Sequence, residues 1–190
     1  MTIAGKRAYI NFVSPGQVNV QVPSDVPTGL QQLVVTTAGG NSAVYNITVN
    51  ARQPGLLAPP VFRINGSQHV VALFSNTLTY VLPATIAGIA TARARPGDTL
   101  TLYGIGFGQV TPVIPAGQIV ELTNALQSTL QITFADVPAT ITYAGLSPGF
   151  VGLYQINVVV PPVAASDTVP LAFRLAGDVG SQNLVIAVRN

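Results

Sequence analysis

Cysteine is absent from the sequence, which excludes disulfides and thiolate metal sites and leaves the redox compartment unread. Tryptophan is absent too, and His69 is the single histidine. A zinc site needs three or four nitrogen, sulfur or oxygen ligands. Here it would rest almost wholly on carboxylates, so no metal and no cofactor is expected. Charge is equally scarce. Charged residues make up 7% of the chain, against about 25% in an ordinary soluble domain. The net charge is +2, and apart from Lys6-Arg7 and Arg93/Arg95 the basic residues are scattered. That is no nucleic-acid footprint. Such neutrality also offers little like-charge repulsion against self-association.

No apolar run reaches the ~18 residues a spanning helix needs. The nearest, Val70 to Ile89, is broken by Ser75-Asn76-Thr77 and Pro83, so no membrane span is expected. Met1 runs straight into what reads as the first strand, so no secretory leader is expected within this sequence. The expectation is a piece of a longer secreted protein, extracellular or at the cell surface.

What the chain has in quantity is turn chemistry and alternation, with 18 glycines and 15 prolines among 190 residues. Ser147-Pro148-Gly149 opens a stretch whose strand carries Gln155 and Asn157 between branched apolar residues and ends at Pro161. Ser14-Pro15-Gly16 opens a shorter version, with Gln17 and Asn19 in a strand that ends at Pro23. Proline presets φ and glycine permits turns at such points. Around these two copies the sequence reads as strand after strand. Thr2 to Ala4, Ala8 to Val13, Leu30 to Thr37 and Ala43 to Val49 come first, with Ala8, Ile10 and Phe12 expected on one face. A hairpin at Asn65-Gly66, a strand from Thr77 to Leu82, and a loop or helical turn over 83–95 follow. Thr99 to Tyr103, Gln118 to Leu122, Leu130 to Phe134, Ala139 to Tyr143, Val169 to Leu175 and Leu184 to Val188 complete the set. Strands at this spacing, without a helical period, point to a sandwich.

The two copies form an internal repeat in which Ile10 matches Ile141 and Phe12 matches Tyr143. The fold expected is therefore all-β, two β-sandwich modules in tandem. Residues 1–95 form the first (an incomplete repeat over 1–53 plus a strand-bearing connector over 54–95), and 96–190 form the second. The first copy lacks the strands that 96–132 supply to the second, which leaves a sheet edge or an apolar face bare. Two ways of covering it are open. The connector folds back over it, which local packing favours, or a neighbouring chain adds a strand.

Catalytic chemistry finds little to stand on. Gly104-Ile105-Gly106-Phe107-Gly108 is glycine-dense, but a dinucleotide loop needs different spacing and a helix after it, and Thr111-Pro112 follows. No Gly-x-Ser-x-Gly elbow presents a nucleophile to His69, which reads as an exposed strand residue. Asp25, Asp98, Asp167 and Asp178 lie in turn-like sequence, where aspartate bonds local backbone. No calcium loop of the Asp-x-Asp-x-Asp-Gly kind occurs. The enzyme reading is set aside. Gln17, Asn19, Gln155 and Asn157 form either a polar ladder for sugar hydroxyls or pins for nearby main chain. Phe150, Val151, Leu153 and Tyr154, absent from the first copy, are either buried between modules or an exposed contact patch.

Through Tyr143 to Val158, Leu102 to Pro112 and Ser14 to Pro23, the chain resembles the Solibacter-type C-terminal domain family of acidobacterial proteins over nearly its whole length. Pro96 to Phe107 also resembles the start of an IPT/TIG immunoglobulin-like domain, which implies that the tandem modules, the first incomplete at its N-terminus, are immunoglobulin-like. The resemblance implies a β-rich, non-catalytic module at the end of long exported proteins. The function expected is a structural or adhesion module that self-associates by strand addition or contacts neighbouring domains. The alternative is a carbohydrate-binding module with a polysaccharide partner.

Overall fold

Alternation of apolar and polar residues sets the faces of the longest strands. Tyr154–Val159 buries Tyr154, Ile156 and Val158 and turns Gln155 and Asn157 the other way, while Ser166–Leu175 buries Val169, Leu171, Phe173 and Leu175. With a side-chain period of two, each strand presents one apolar row to a core. The computed structural model describes all 190 residues as an all-β protein, with one 3₁₀ turn at Pro60–Phe62 as its only helical element.

Residues from Gly55 onward form a sandwich of two main sheets. The first runs Thr91–Ala92, Tyr80–Val81, Ala72–Phe74, Thr99–Ile105, Tyr154–Val159, Thr140–Leu146, with Gly55–Leu56 also paired to Thr99–Ile105. The second centres on Ser166–Leu175, which pairs with Leu130–Phe134, Leu184–Val188 and Asp178–Val179. Between them lies a core of 24 buried residues running from Leu56 to Val188. Removing that apolar surface from water is the main stabilising term.

The first fifty residues are built differently. Lys6–Arg7, Thr2–Ile3, Gly29–Val34 and Tyr45–Val49 make a four-stranded sheet, and Tyr9–Ser14 pairs with Gln17–Gln21 as a separate hairpin. Ile3 is the one residue of this segment that is buried. Tyr9, Ile10, Phe12, Val13, Leu30 and Tyr45 are all exposed.

Strand register shows that this segment repeats the closing half of the sandwich. Thr140–Leu146 pairs with Tyr154–Val159 through a bulge between Ile141 and Tyr143. Tyr9–Ser14 pairs with Gln17–Gln21 through a bulge between Ile10 and Phe12. In both, the Asn of Gln-x-Asn faces an aromatic residue, Phe12↔Asn19 and Tyr143↔Asn157. Ile3↔Leu33 and Gln31↔Ile47 correspond likewise to Phe134↔Leu171 and Val169↔Ile186. Even a single loop bond recurs: Ala4 N–H donates to Gln32 O as Ala135 N–H donates to Pro170 O, both at 2.8 Å.

Several expectations are corrected. The bulge puts Ile10 opposite Val20 but Phe12 opposite Asn19, so Ile10 and Phe12 do not share a face; one extra residue in a strand reverses the alternation. Gln118 to Leu122 is a loop, held by one reciprocal pair: Val120 N–H to Phe150 O at 3.0 Å and Gly149 N–H to Val120 O at 2.9 Å. Residues 83–95 contain no helical turn but a short parallel strand, Thr91–Ala92, beside Tyr80–Val81. The connector does not cover the first repeat. Its strands Gly55–Leu56 and Ala72–Phe74 pair with Thr99–Ile105 of the second. The reason lies in Gly104 and Gly106. Gly104 pairs with Leu56, and a Cβ on Gly106 (φ +75°) would stand 2.1 Å from Gln53 O. Bare backbone at these positions lets the linker lie flat on this strand.

Candidate functional site

The feature that distinguishes the two repeats is an edge. Tyr154–Val159 has a strand on each side, Thr140–Leu146 and Thr99–Ile105. Gln17–Gln21, its counterpart, belongs to a two-stranded sheet with Tyr9–Ser14 alone. Its other side carries unpaired strand backbone, the usual template for adding a strand.

The Gln-x-Asn pairs lie on this boundary. Gln155 Nε2 donates to Asn157 Oδ1 at 3.0 Å, and Gln17 Nε2 donates to Asn19 Oδ1 at 2.6 Å. In the second repeat the pair is extended. Thr101 Oγ1 donates to Asn157 Oδ1 and accepts from Ser75 Oγ, both at 3.2 Å, while Ser147 Oγ donates to Gln155 Oε1 at 3.2 Å. Thus a threonine on the added strand completes a cross-strand polar network. Gln17 and Asn19 are exposed, and Gln155 and Asn157 are half-buried.

The apolar loop residues separate. Tyr154 is buried, its ring centroid 5.6 Å from that of Phe107, and its hydroxyl donates to Gly108 O. Burial pushes its phenol above the ordinary value. Val151 and Leu153 are half-buried, and Phe150 is 54% exposed. This loop abuts the first repeat. The side chain of Gln21 passes 3.0 Å from where a Gly152 Cβ would be and accepts Gly117 N–H at 2.8 Å.

Two polar residues differ from expectation. His69 is 1% exposed rather than a surface residue; its Nε2 lies 3.0 Å from Asp167 O and its Nδ1 has no partner. The strand carrying it turns inward to bridge Val185, which the hairpin motif alone does not encode. Asn124, which sequence reasoning did not single out, is 3% exposed and clamps a loop: its Oδ1 accepts Leu146 N–H at 2.6 Å, and its Nδ2 donates to Leu122 O and Leu146 O, each at 3.1 Å. A lone Asn among leucines is a signal only once its neighbours are known.

The carboxylates do not converge: no group of three or more His, Cys, Asp or Glu residues is placed to hold a metal ion. Asp98 accepts Arg95 N–H at 2.7 Å within its own turn, as expected, and Asp25 pairs with Lys6 at 2.7 Å. Asp167 instead lies in the strand Ser166–Leu175 and accepts from Arg93 Nε at 2.5 Å and Nη2 at 3.0 Å. These bonds hold its carboxyl below the usual aspartate range. A lowered folded-state pKa stabilises above the unfolded value, about pH 4, and that contribution fades as the pH falls through the lowered one. Asp167→Asn is therefore expected to lower the thermal midpoint slightly at pH 7 and by less near pH 2. Both side chains are about half exposed, so solvent screens the pair. Melting curves at the two pH values check this, and an equal deficit at both would contradict it.

Comparison with protein-family models, with curated proteins and with solved structures gives no match for this chain.

Proposed function

We propose that this chain is a non-catalytic structural or adhesion unit of a larger secreted bacterial protein, built of immunoglobulin-like sandwich repeats. It makes its contacts by strand addition at the open first repeat. One observation carries the reading: Gln17–Gln21 has the bulged partner and the Gln-x-Asn pair of Tyr154–Val159 but lacks the second neighbour that strand has. The resemblance to acidobacterial C-terminal domains agrees with it. The engagement of Gln155 and Asn157 with Thr101 and Ser147 supports a structural role for these amides over a sugar-binding one.

Exposed apolar side chains around an unpaired edge favour association in water. Light scattering over rising concentration is expected to show reversible growth in mass above the monomer. Asn19→Lys, which puts a charge on the edge strand, is expected to shift that growth to higher concentration. A chain that stays monomeric at every accessible concentration would contradict the proposal.

A further inference from the structure

We infer that the open first repeat is an acceptor for one kind of segment: the opening half of another copy of this repeat, with the chemistry of residues 54–111. The inference rests on the strand-addition reading and specifies its partner. The second repeat shows what fills the seat. Thr99–Ile105 lies antiparallel to Tyr154–Val159 with Thr101 opposite Asn157, and it drives Leu100 and Leu102 into the core, where both are 0% exposed. Transferred to the first repeat, the same register places a threonine opposite Asn19. There Gln17 already holds Asn19 Oδ1 as Gln155 holds Asn157 Oδ1.

The far sheet has the same gap. Leu184–Val188 is flanked by the connector, through the bridges His69↔Val185 and Ala94↔Val188 and the bond from Val70 N–H to Val185 O. Its counterpart Tyr45–Val49 has only Gly29–Val34 beside it. The consequence is visible at one equivalent pair: Leu184, opposite Leu171, is 5% exposed, and Tyr45, opposite Leu33, is 68% exposed. Both gaps have the shape of one segment, because residues 54–111 fill both in the second repeat. A second whole chain pairing edge to edge would extend the hairpin's sheet but leave Tyr45–Val49 bare.

A cysteine-free chain allows a direct test by cross-linking. The full chain carrying Asn19→Cys is mixed, under mild oxidation, with a synthetic peptide spanning residues 96–112 and carrying Thr101→Cys or Leu102→Cys. Directly opposed residues on one face come within disulfide reach, whereas a one-residue slip sends the side chain to the other face. The expected result is a disulfide with the Thr101→Cys peptide, its loss with the Leu102→Cys peptide, and reduced self-association of the wild-type chain when the unmodified peptide is added. Cross-linking that is absent or indifferent to register, in a chain that still self-associates, would overturn the inference and leave the assembly reading standing. The same holds if Asn19→Cys chains cross-link to each other and the peptide does not compete. A monomeric chain that also ignores the peptide would remove both.

Discussion

Replacing Asn124 by alanine is expected to lower the thermal midpoint by about 4–8 °C. The side chain is 3% exposed and makes three hydrogen bonds, one to Leu146 N–H and two from its amide to Leu122 O and Leu146 O. Leu146 O keeps a second donor, the Tyr143 hydroxyl at 2.7 Å. The loss therefore falls chiefly on Leu146 N–H, since Leu146 is 6% exposed whereas Leu122 is 62% exposed. A buried group left unpaired costs roughly 1–3 kcal/mol, giving about 2 kcal/mol here. A chain of this size moves by about 2–4 °C per kcal/mol. The site has no slack for another side chain to take over, because a Cβ on the adjacent Gly145 would stand 2.7 Å from both Asn124 O and Oδ1.

Asn124→Asp separates shape from donor chemistry. It keeps the acceptor for Leu146 N–H but, when ionised, sets a carboxylate against two carbonyl oxygens. It is expected to be at least as damaging at pH 7 and to recover in part on acidification, because only the protonated form donates. Calorimetry of the two variants at neutral and acid pH decides the matter. A midpoint within about 2 °C of wild type for the alanine variant would mean that water replaces the amide without loss.

The parts of this fold legible in the sequence are those whose signal is local. Ser14-Pro15-Gly16, Ser147-Pro148-Gly149 and Asn65-Gly66 mark turns by φ preference, and all three are turns, with Asn65 and Gly66 both at positive φ. The match of Gln17-Val18-Asn19 to Gln155-Ile156-Asn157 exposes the repeat, and strand register bears out the equivalence. The bulges after Ile10 and Ile141 were not legible, since an extra strand residue has no compositional mark. Nor was the destination of the connector. Proximity in sequence points it at the first repeat, but the choice is made by Gly104 and Gly106, which admit its backbone to the second. The burial of His69 follows from that choice, because only a connector packed beside Leu184–Val188 brings it against Asp167. The candidate edge was legible in outline, as missing strands, and became a site only when register showed which strand lacked its neighbour.

Phe107→Ala is the second large effect expected, with a loss of about 3–5 kcal/mol and a fall in midpoint of roughly 6–20 °C. Phe107 is 0% exposed and stands between Tyr154 and Phe173, both ring centroids 5.6 Å away. It joins the two sheets: Tyr154 belongs to one, Phe173 to the other, and only Gly106 separates Phe107 from the end of Thr99–Ile105. Alanine would leave a cavity that the two flanking rings, each fixed by its own strand, collapse into only partly. Phe107→Leu keeps most of the volume and is expected to lose much less. Gly104 offers a check on the geometry. Its Cβ would lie 2.6 Å from the Phe107 ring and 2.7 Å from Gly55 O. Gly104→Ala should therefore remain destabilising in the Phe107→Ala background, because shrinking the ring does not move the Gly55 carbonyl. If the double variant instead regained stability by filling the cavity, the close pairing of Gly55–Leu56 with Thr99–Ile105 would be wrong. The connector would then be free to cover the first repeat after all.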